Sequence, residues 1–143
     1  MIIVDTNVIS EAMKPLPNAQ VIEWLNNQET MHLFLTTITI GEIAYGLQVL
    51  PESKRRRALQ QTFDQLVGNA FTNRILPFDE QSARLYGEIM ANRRKIGRPL
   101  AIADGQIISI AQNQGFAIAT RNAQDFADCN VRVINPFPAK ESG

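Results

Sequence analysis

The sequence predicts a single α/β domain, and three observations carry that reading. Short β-branched runs alternate with longer segments of helical period, polar or acidic residues stand where the apolar runs break off, and prolines or glycines mark several of the joins. Ile2 to Val4 reads as a first buried strand, after which Asp5-Thr6-Asn7 caps a short helix that Pro15 and Pro17 end. Asn18 opens a second helix with Val21, Ile22 and Leu25 on its apolar side. Leu33 to Thr36 is a second strand. The helix after it places Ile40, Ile43, Ala44 and Leu47 at i, i+3, i+4 and i+7 and stops at Pro51. A polar helix from Glu52 to Val67, a strand from Arg74 to Pro77, and a helix from Glu80 to Ile96 follow, the last with Ala83, Tyr86, Gly87 and Met90 along one side. Gly97-Arg98-Pro99 breaks it, and Ile102 to Gln114 makes another helix that ends at Gly115. Phe116 to Ala119 and Val131 to Ile134 are the last strands. The domain is expected over residues 1–138, with 139–143 as a loose tail.

Composition narrows the function classes. At 143 residues and 45% hydrophobic content the chain is long enough for one packed core and short for two domains. Fourteen basic residues balance fourteen acidic ones, so any contact with nucleic acid must be local. One cysteine, Cys129, excludes an internal disulfide, and one histidine, His32, argues against a Cys/His zinc site. No stretch approaches the roughly 20 apolar residues of a membrane span, and the first residues lack the pattern of a leader. A cytoplasmic protein is the expectation.

Four carboxylates stand apart: Asp5, Glu42, Asp104 and Asp125. Each has a plain explanation. Asp5 suits a helix N-cap, and Thr39-Ile40-Gly41-Glu42 has the spacing of a capping box in which the glutamate reaches back to the cap amide. Asp125 in a turn-rich stretch reads as a solvated loop acid. Asp104 is harder to place, because a helix sets it beside the apolar Ile107 and Ile108, where a carboxylate needs a partner. Together the four say more. In an open parallel sheet, ligands gather beyond the carboxyl ends of the strands, and acids following such strands or opening helices on that rim converge on one cavity. Carboxylates gathered there repel one another unless a cation lies among them, and oxygen ligands favour Mg²⁺ or Mn²⁺.

The ordered series Asp5-Thr6-Asn7, Thr39-x-x-Glu42, Ala103-Asp104 and Thr120-x-Asn122 resembles the PIN domain, and Ser10-Glu11 with the segment Arg74 to Glu80 resembles its VapC and FitB-like branch. The likeness runs from Met1 to about Pro138. It implies a Rossmann-like three-layer α/β/α sandwich around a five-stranded parallel sheet. It also implies a Mg²⁺- or Mn²⁺-dependent endoribonuclease, the toxin of a type II toxin-antitoxin pair, with a DNA-binding antitoxin as partner and a homodimer as the assembly. Asp5, Glu42 and Asp104 match the family's metal-binding acids. The fourth family acid often falls at the position of Asn122, so Asp125 is assigned to it provisionally. Asn7, Thr120 and Asn122 are expected to orient the carboxylates by hydrogen bonds, with Thr6 a weaker candidate of the same kind.

With those ligands a metal-activated water attacks the RNA phosphodiester in line, and no histidine or tyrosine near the motifs offers itself as a base. Arg98 and Arg121 lie nearest the expected rim and are the substrate-binding candidates. Lys54-Arg55-Arg56-Arg57 and Arg93-Arg94-Lys95 read more simply as solvated helix faces, and Trp24, Phe34 and Phe71 as core. Tyr86 and Met90, one turn apart, suggest an apolar patch for a two-fold contact. The rival reading is a FitB-like partner in a DNA-binding complex whose nuclease activity is weak or masked. A phosphoacceptor receiver domain fits poorly, because the late strand ends in Ile134-Asn135-Pro136 without the lysine that class needs.

Overall fold

The order of strands follows from their composition. Ile2, Ile3 and Val4 form an unbroken apolar run, the mark of a parallel strand covered on both faces, and β1 (Ile2–Val4) lies in the middle of the sheet. In the computed structural model, which describes residues 1–139, the five strands are ordered β3-β2-β1-β4-β5 and all neighbours are parallel. The others are β2 (Leu33–Thr36), β3 (Ile75–Leu76), β4 (Ala117–Ala119) and β5 (Val133–Ile134). The expected parallel sheet and the three layers are found. Strands β3, β4 and β5 are shorter than read from the sequence: Arg74 and Pro77, Phe116, and Val131 and Arg132 lie outside the ladders. The expected tail, 139–143, lies outside the described residues apart from Ala139.

Six helices cover the sheet: α1 (Thr6–Met13), α2 (Ala19–Asn26), α3 (Thr37–Gln48), α4 (Lys54–Gln65), α5 (Glu80–Lys95) and α6 (Ile102–Gln114). Five of them start where a side-chain oxygen takes an early amide: Asp5, Asn18, Thr36, Ser53 and Asp79. α4 ends in one wide turn over Leu66–Ala70, closed by the Phe71 amide on the Leu66 carbonyl at 2.9 Å. Arg74 then buries its guanidinium against the carbonyls of Thr30, Leu33 and Ala70, fixing the entry to β3.

The pleat of β1 divides the core. Val4 points with Val8, Ile9, Val21, Leu35, Ile43 and Phe63 into the layer under α1 to α4, and Ile3 points with Ile107, Ile108, Ile118 and Phe126 into the layer under α6. The five consecutive residues Ile107 to Ala111 of α6 are all buried, so the middle of this helix is covered on every side, between the sheet and α5. At Gly105 an added Cβ would come within 2.4 Å of Met90 Sδ and 3.2 Å of a Tyr86 ring carbon, so the glycine permits a close crossing of α5 and α6. This corrects one expectation. Tyr86 and Met90 are half-buried in that crossing, with Tyr86 also edge-on to Phe78 at 5.8 Å, and do not form a free patch.

No helix among the described residues is long and apolar enough to cross a membrane.

Candidate metal and nuclease site

The chain runs from β1 outward through β2 to β3, then returns to the other side of β1 to lay down β4 and β5. Strand order therefore reverses between β1 and β4, and a crevice opens beyond their carboxyl ends. Asp5 follows β1 and Thr120 follows β4. Thr120 Oγ1 donates to Asp5 Oδ2 at 2.7 Å, which ties the two strand ends together across the switch point.

Asp5 is 3% exposed and well held. The Thr6 amide donates to its Oδ1 at 2.8 Å, and Asn7 Nδ2 approaches Oδ2 at 3.4 Å and Thr120 Oγ1 at 3.3 Å. Asn7 Oδ1 accepts from the Arg121 amide at 3.1 Å, and Thr120 Oγ1 accepts from the Asn122 amide at 3.1 Å. The cap reading of Asp5 holds, and the same side chain lines the cleft. Burial raises its pKa, the bonds from Thr120 and Thr6 pull it back down, and the charge of Glu42 adds a smaller upward push.

Glu42 is exposed on the first turns of α3, but it closes no capping box. The helix starts at Thr36, whose Oγ1 accepts from the Thr39 amide at 3.1 Å, so the box expected at Thr39 lies one turn too late. Released from that role, Glu42 Oε1 accepts from Thr6 Oγ1 at 2.7 Å, and Thr6 Oγ1 stands 3.0 Å from Thr39 Oγ1. The hydroxyls of Thr6 on α1, Thr39 on α3 and Thr36 at the end of β2 therefore form the chain that positions the second acid. Thr39 was legible as part of a spaced motif; Thr36 was not marked at all.

Asp104 sits in the first turn of α6, partly buried. Its pKa is pushed up to about 6, first by burial and then by the charges of Asp5, Glu42 and Asp125. A carboxylate held beside three others at that cost is the chemistry of a cation site. The donor set is all oxygen. Among the described residues no group of three or more His, Cys, Asp or Glu side chains is placed to hold an ion between them. That spacing suits Mg²⁺ or Mn²⁺, which binds through one or two carboxylates and keeps several waters, and not a fully protein-ligated zinc. The residues present fit the expected metal.

Asp5, Thr6, Asn7, Glu42, Asp104, Arg121 and Asn122 line one open cleft of about 380 Å³, shared with Ser10, Glu11 and Lys14. Asp125 lies next door, lining a hollow with Asn122, Arg121 and Phe137, and reaches the cleft through its charge on Asp104. Arg98 is elsewhere. It pairs with Asp128 at 2.7 Å and donates to the Gln124 carbonyl at 3.0 Å, so it supports the loop behind the site and does not line the cleft. Glu11 and Lys14 were missed as site residues. An acid on an apolar helix face beside Val8, Ile9 and Met13 was the available signal, of the same kind that drew attention to Asp104.

Comparison with known proteins accords with this geometry. The toxin FitB of Neisseria gonorrhoeae is 36% identical over 96% of this chain and 99% of its own length. VapC ribonuclease Y4jK of Sinorhizobium fredii is 38% identical over 96% of this chain and 98% of its own. A solved structure of FitAB bound to an IR36 DNA fragment superposes with a TM-score of 0.90 at 35% identity, covering all of both chains. The family model for the PIN domain matches residues 2–130, and the chain is a member of the PIN-domain family.

Proposed function

We propose that the protein is the ribonuclease toxin of a type II toxin-antitoxin pair, hydrolysing RNA phosphodiesters with Mg²⁺ or Mn²⁺. The observation that carries the reading is the convergence of Asp5, Glu42 and Asp104 on one cleft at the β1/β4 switch point, with Asp104 raised to about 6 by burial and then by its acidic neighbours. Relatives bearing the names toxin FitB and VapC ribonuclease support it.

Asp5, Asp104 and Glu42 are the residues that would hold the ion, with Asp125 acting from the second rank or through water. When bound, the ion supplies Lewis acidity at the phosphodiester and lowers the pKa of water in the cleft. The chain's own work is orientation. Thr120, Asn7 and the Thr6 amide fix both oxygens of Asp5; Thr6 fixes Glu42. A carboxylate of this cluster would accept the proton of the attacking water, since among the described residues no histidine or tyrosine lines the cleft.

The partner in this reading is a DNA-binding antitoxin, and FitAB seen on DNA supports it. A groove of about 260 Å³ between α1, α3 and α4, lined by Met13, Ile43, Leu47 and Leu59, opens at Thr6 and Glu42 into the acidic cleft and would take an apolar segment of such a partner. A basic side chain carried beyond that segment would meet the acids and compete with the metal. A homodimer belongs to the same proposal and rests on the family resemblance.

The DNA-bound FitAB structure also favours the second reading, a partner in a DNA-binding assembly with masked nuclease activity. One assay separates them. The purified chain alone should cleave single-stranded RNA with Mn²⁺ or Mg²⁺, lose that activity in EDTA, and be inhibited by the product of a neighbouring small reading frame. A metal-loaded chain that leaves RNA intact overturns the first reading.

A further inference from the structure

The cleft has a second wall that the metal reading leaves unused. Glu11 on α1 is 6% exposed, and its Oε1 accepts from both Lys14 Nζ at 3.0 Å and Arg121 Nη2 at 3.3 Å. Its Oε2 accepts from the Asn18 amide at 3.1 Å, so the carboxylate cannot turn away. The bond from Lys14 is the first cause holding its pKa below the usual range, so it remains ionised. Arg121 is fixed twice more: its amide donates to Asn7, and its guanidinium carbon lies 3.9 Å from the centre of the Phe137 ring. Yet the Lys14 and Arg121 side chains stay 57% and 49% exposed, and both line the cleft that holds Asp5, Glu42 and Asp104.

We propose that Glu11 is the keystone of a phosphate-binding wall: it holds Lys14 and Arg121 to grip an RNA backbone phosphate that flanks the one placed at the acids. This inference rests on the nuclease reading above and names how that substrate is held. One buried acid shared by two cations leaves the trio with a net positive charge, opposite a wall of like negative charges. A polyanion entering the cleft is repelled by the acids and needs such a local cation, because the chain as a whole is neutral. Lysine and arginine ordinarily lose rotamer freedom when they seize a phosphate. Here the bond to Glu11 and the Phe137 stack have removed much of that freedom beforehand, while leaving donors turned to solvent. A bridge serving only to tie α1 to the segment after β4 would need neither the second cation nor the exposure.

The test reads binding apart from cleavage. A fluorescein-labelled single-stranded RNA is titrated with the full-length chain in EDTA, by anisotropy, over a series of NaCl concentrations. Lys14→Gln and Arg121→Gln should each weaken binding about tenfold, as loss of a charged hydrogen bond does. Each should also flatten the plot of log affinity against log salt by about 0.7, the value of one phosphate contact on a single strand. Glu11→Gln is the discriminating variant. Removing a negative charge beside a polyanion tightens binding if Glu11 acts only through its charge; as a keystone, its loss weakens binding severalfold. Tighter or unchanged binding in Glu11→Gln, or unchanged salt slopes in the other two, overturns the wall. Cleavage of the same RNA by the wild type in Mn²⁺ is scored in parallel, so unaltered slopes with active enzyme remove the wall alone, and altered slopes without cleavage remove the nuclease reading alone.

Discussion

The two halves of the acidic cleft are built in opposite ways. Asp5, at the end of a central strand, is buried and receives the Thr6 amide and the Thr120 hydroxyl, with the Asn7 amide nitrogen close by. What acts on Asp104, at the start of a helix, is burial and three like charges. Asp5 takes its hydrogen bonds from the protein although burial still raises its pKa; Asp104 has burial and three like charges against its ionised form, which a proton or a cation offsets. In the metal reading proposed above, the fold would fix one ligand as a reference point and leave the opposite one under an electrostatic stress that a bound ion relieves.

The sharpest way to break this contrast is Asp5→Ala. It removes the fixed ligand, so metal-dependent RNA cleavage should fall at least on the order of a thousandfold. It also strips Thr120 and the Thr6 amide of their acceptor, which should cost about 2 kcal/mol in denaturant unfolding. The far-ultraviolet circular dichroism spectrum should stay folded, and cleavage near the wild-type rate would take Asp5 out of the site.

Asp104→Asn should act in the other direction on stability. Its folded pKa of about 6 lies above the ordinary 3.8, so the fold favours the protonated form. The stability this contributes is fully present below the ordinary value and is lost as pH rises through about 6. Without metal, the Asn variant should therefore melt with the wild type near pH 4 and above it at pH 7, by about 1 kcal/mol after screening at this partly exposed position, or about 3 °C. Added Mn²⁺ should raise the wild-type melting temperature and move the variant much less. Equal shifts in the two would contradict a cation at Asp104.

Asp125→Asn should have the smallest effect. Asp125 is exposed and lines the neighbouring hollow, so calorimetric metal affinity should fall about tenfold or less, the range of an indirect contact. A loss as deep as that of Asp104→Asn would make it a direct ligand and would join the two halves of the cleft into one.

The sequence showed the elements more clearly than their ends. Ile2 to Val4, the cap at Asn18 and the stop at Gly115 are local signals, set by β-branching, an amide acceptor and a left-handed residue at φ 72°. The convergence of Asp5 with Thr120 was readable because strand ends and ordered motifs constrain each other. The capping-box alternative for Glu42 falls because the helix begins at Thr36 and not at Thr39, a boundary that β2 decides. Arg98 was placed near the rim by sequence distance from Asp104, whereas its partner Asp128 adopts a positive φ on a loop whose course no local pattern announces. Glu11 escaped because its two cations come from α1 and from the segment after β4.

The bond between Asp5 and Thr120 spans 115 residues of chain. Since β1 sits at the centre and its neighbour β4 begins only at Ala117, a ribosome must synthesise more than a hundred residues beyond β1 before the middle of the sheet can close. Until then the first strand has β2 on one side and an open edge on the other, and Asp5 lacks the hydroxyl that fixes it. A nascent chain therefore carries its acids unassembled, and activity begins with completion of the fold. In a ribonuclease, as proposed above, such a topology would delay cleavage until the domain is complete.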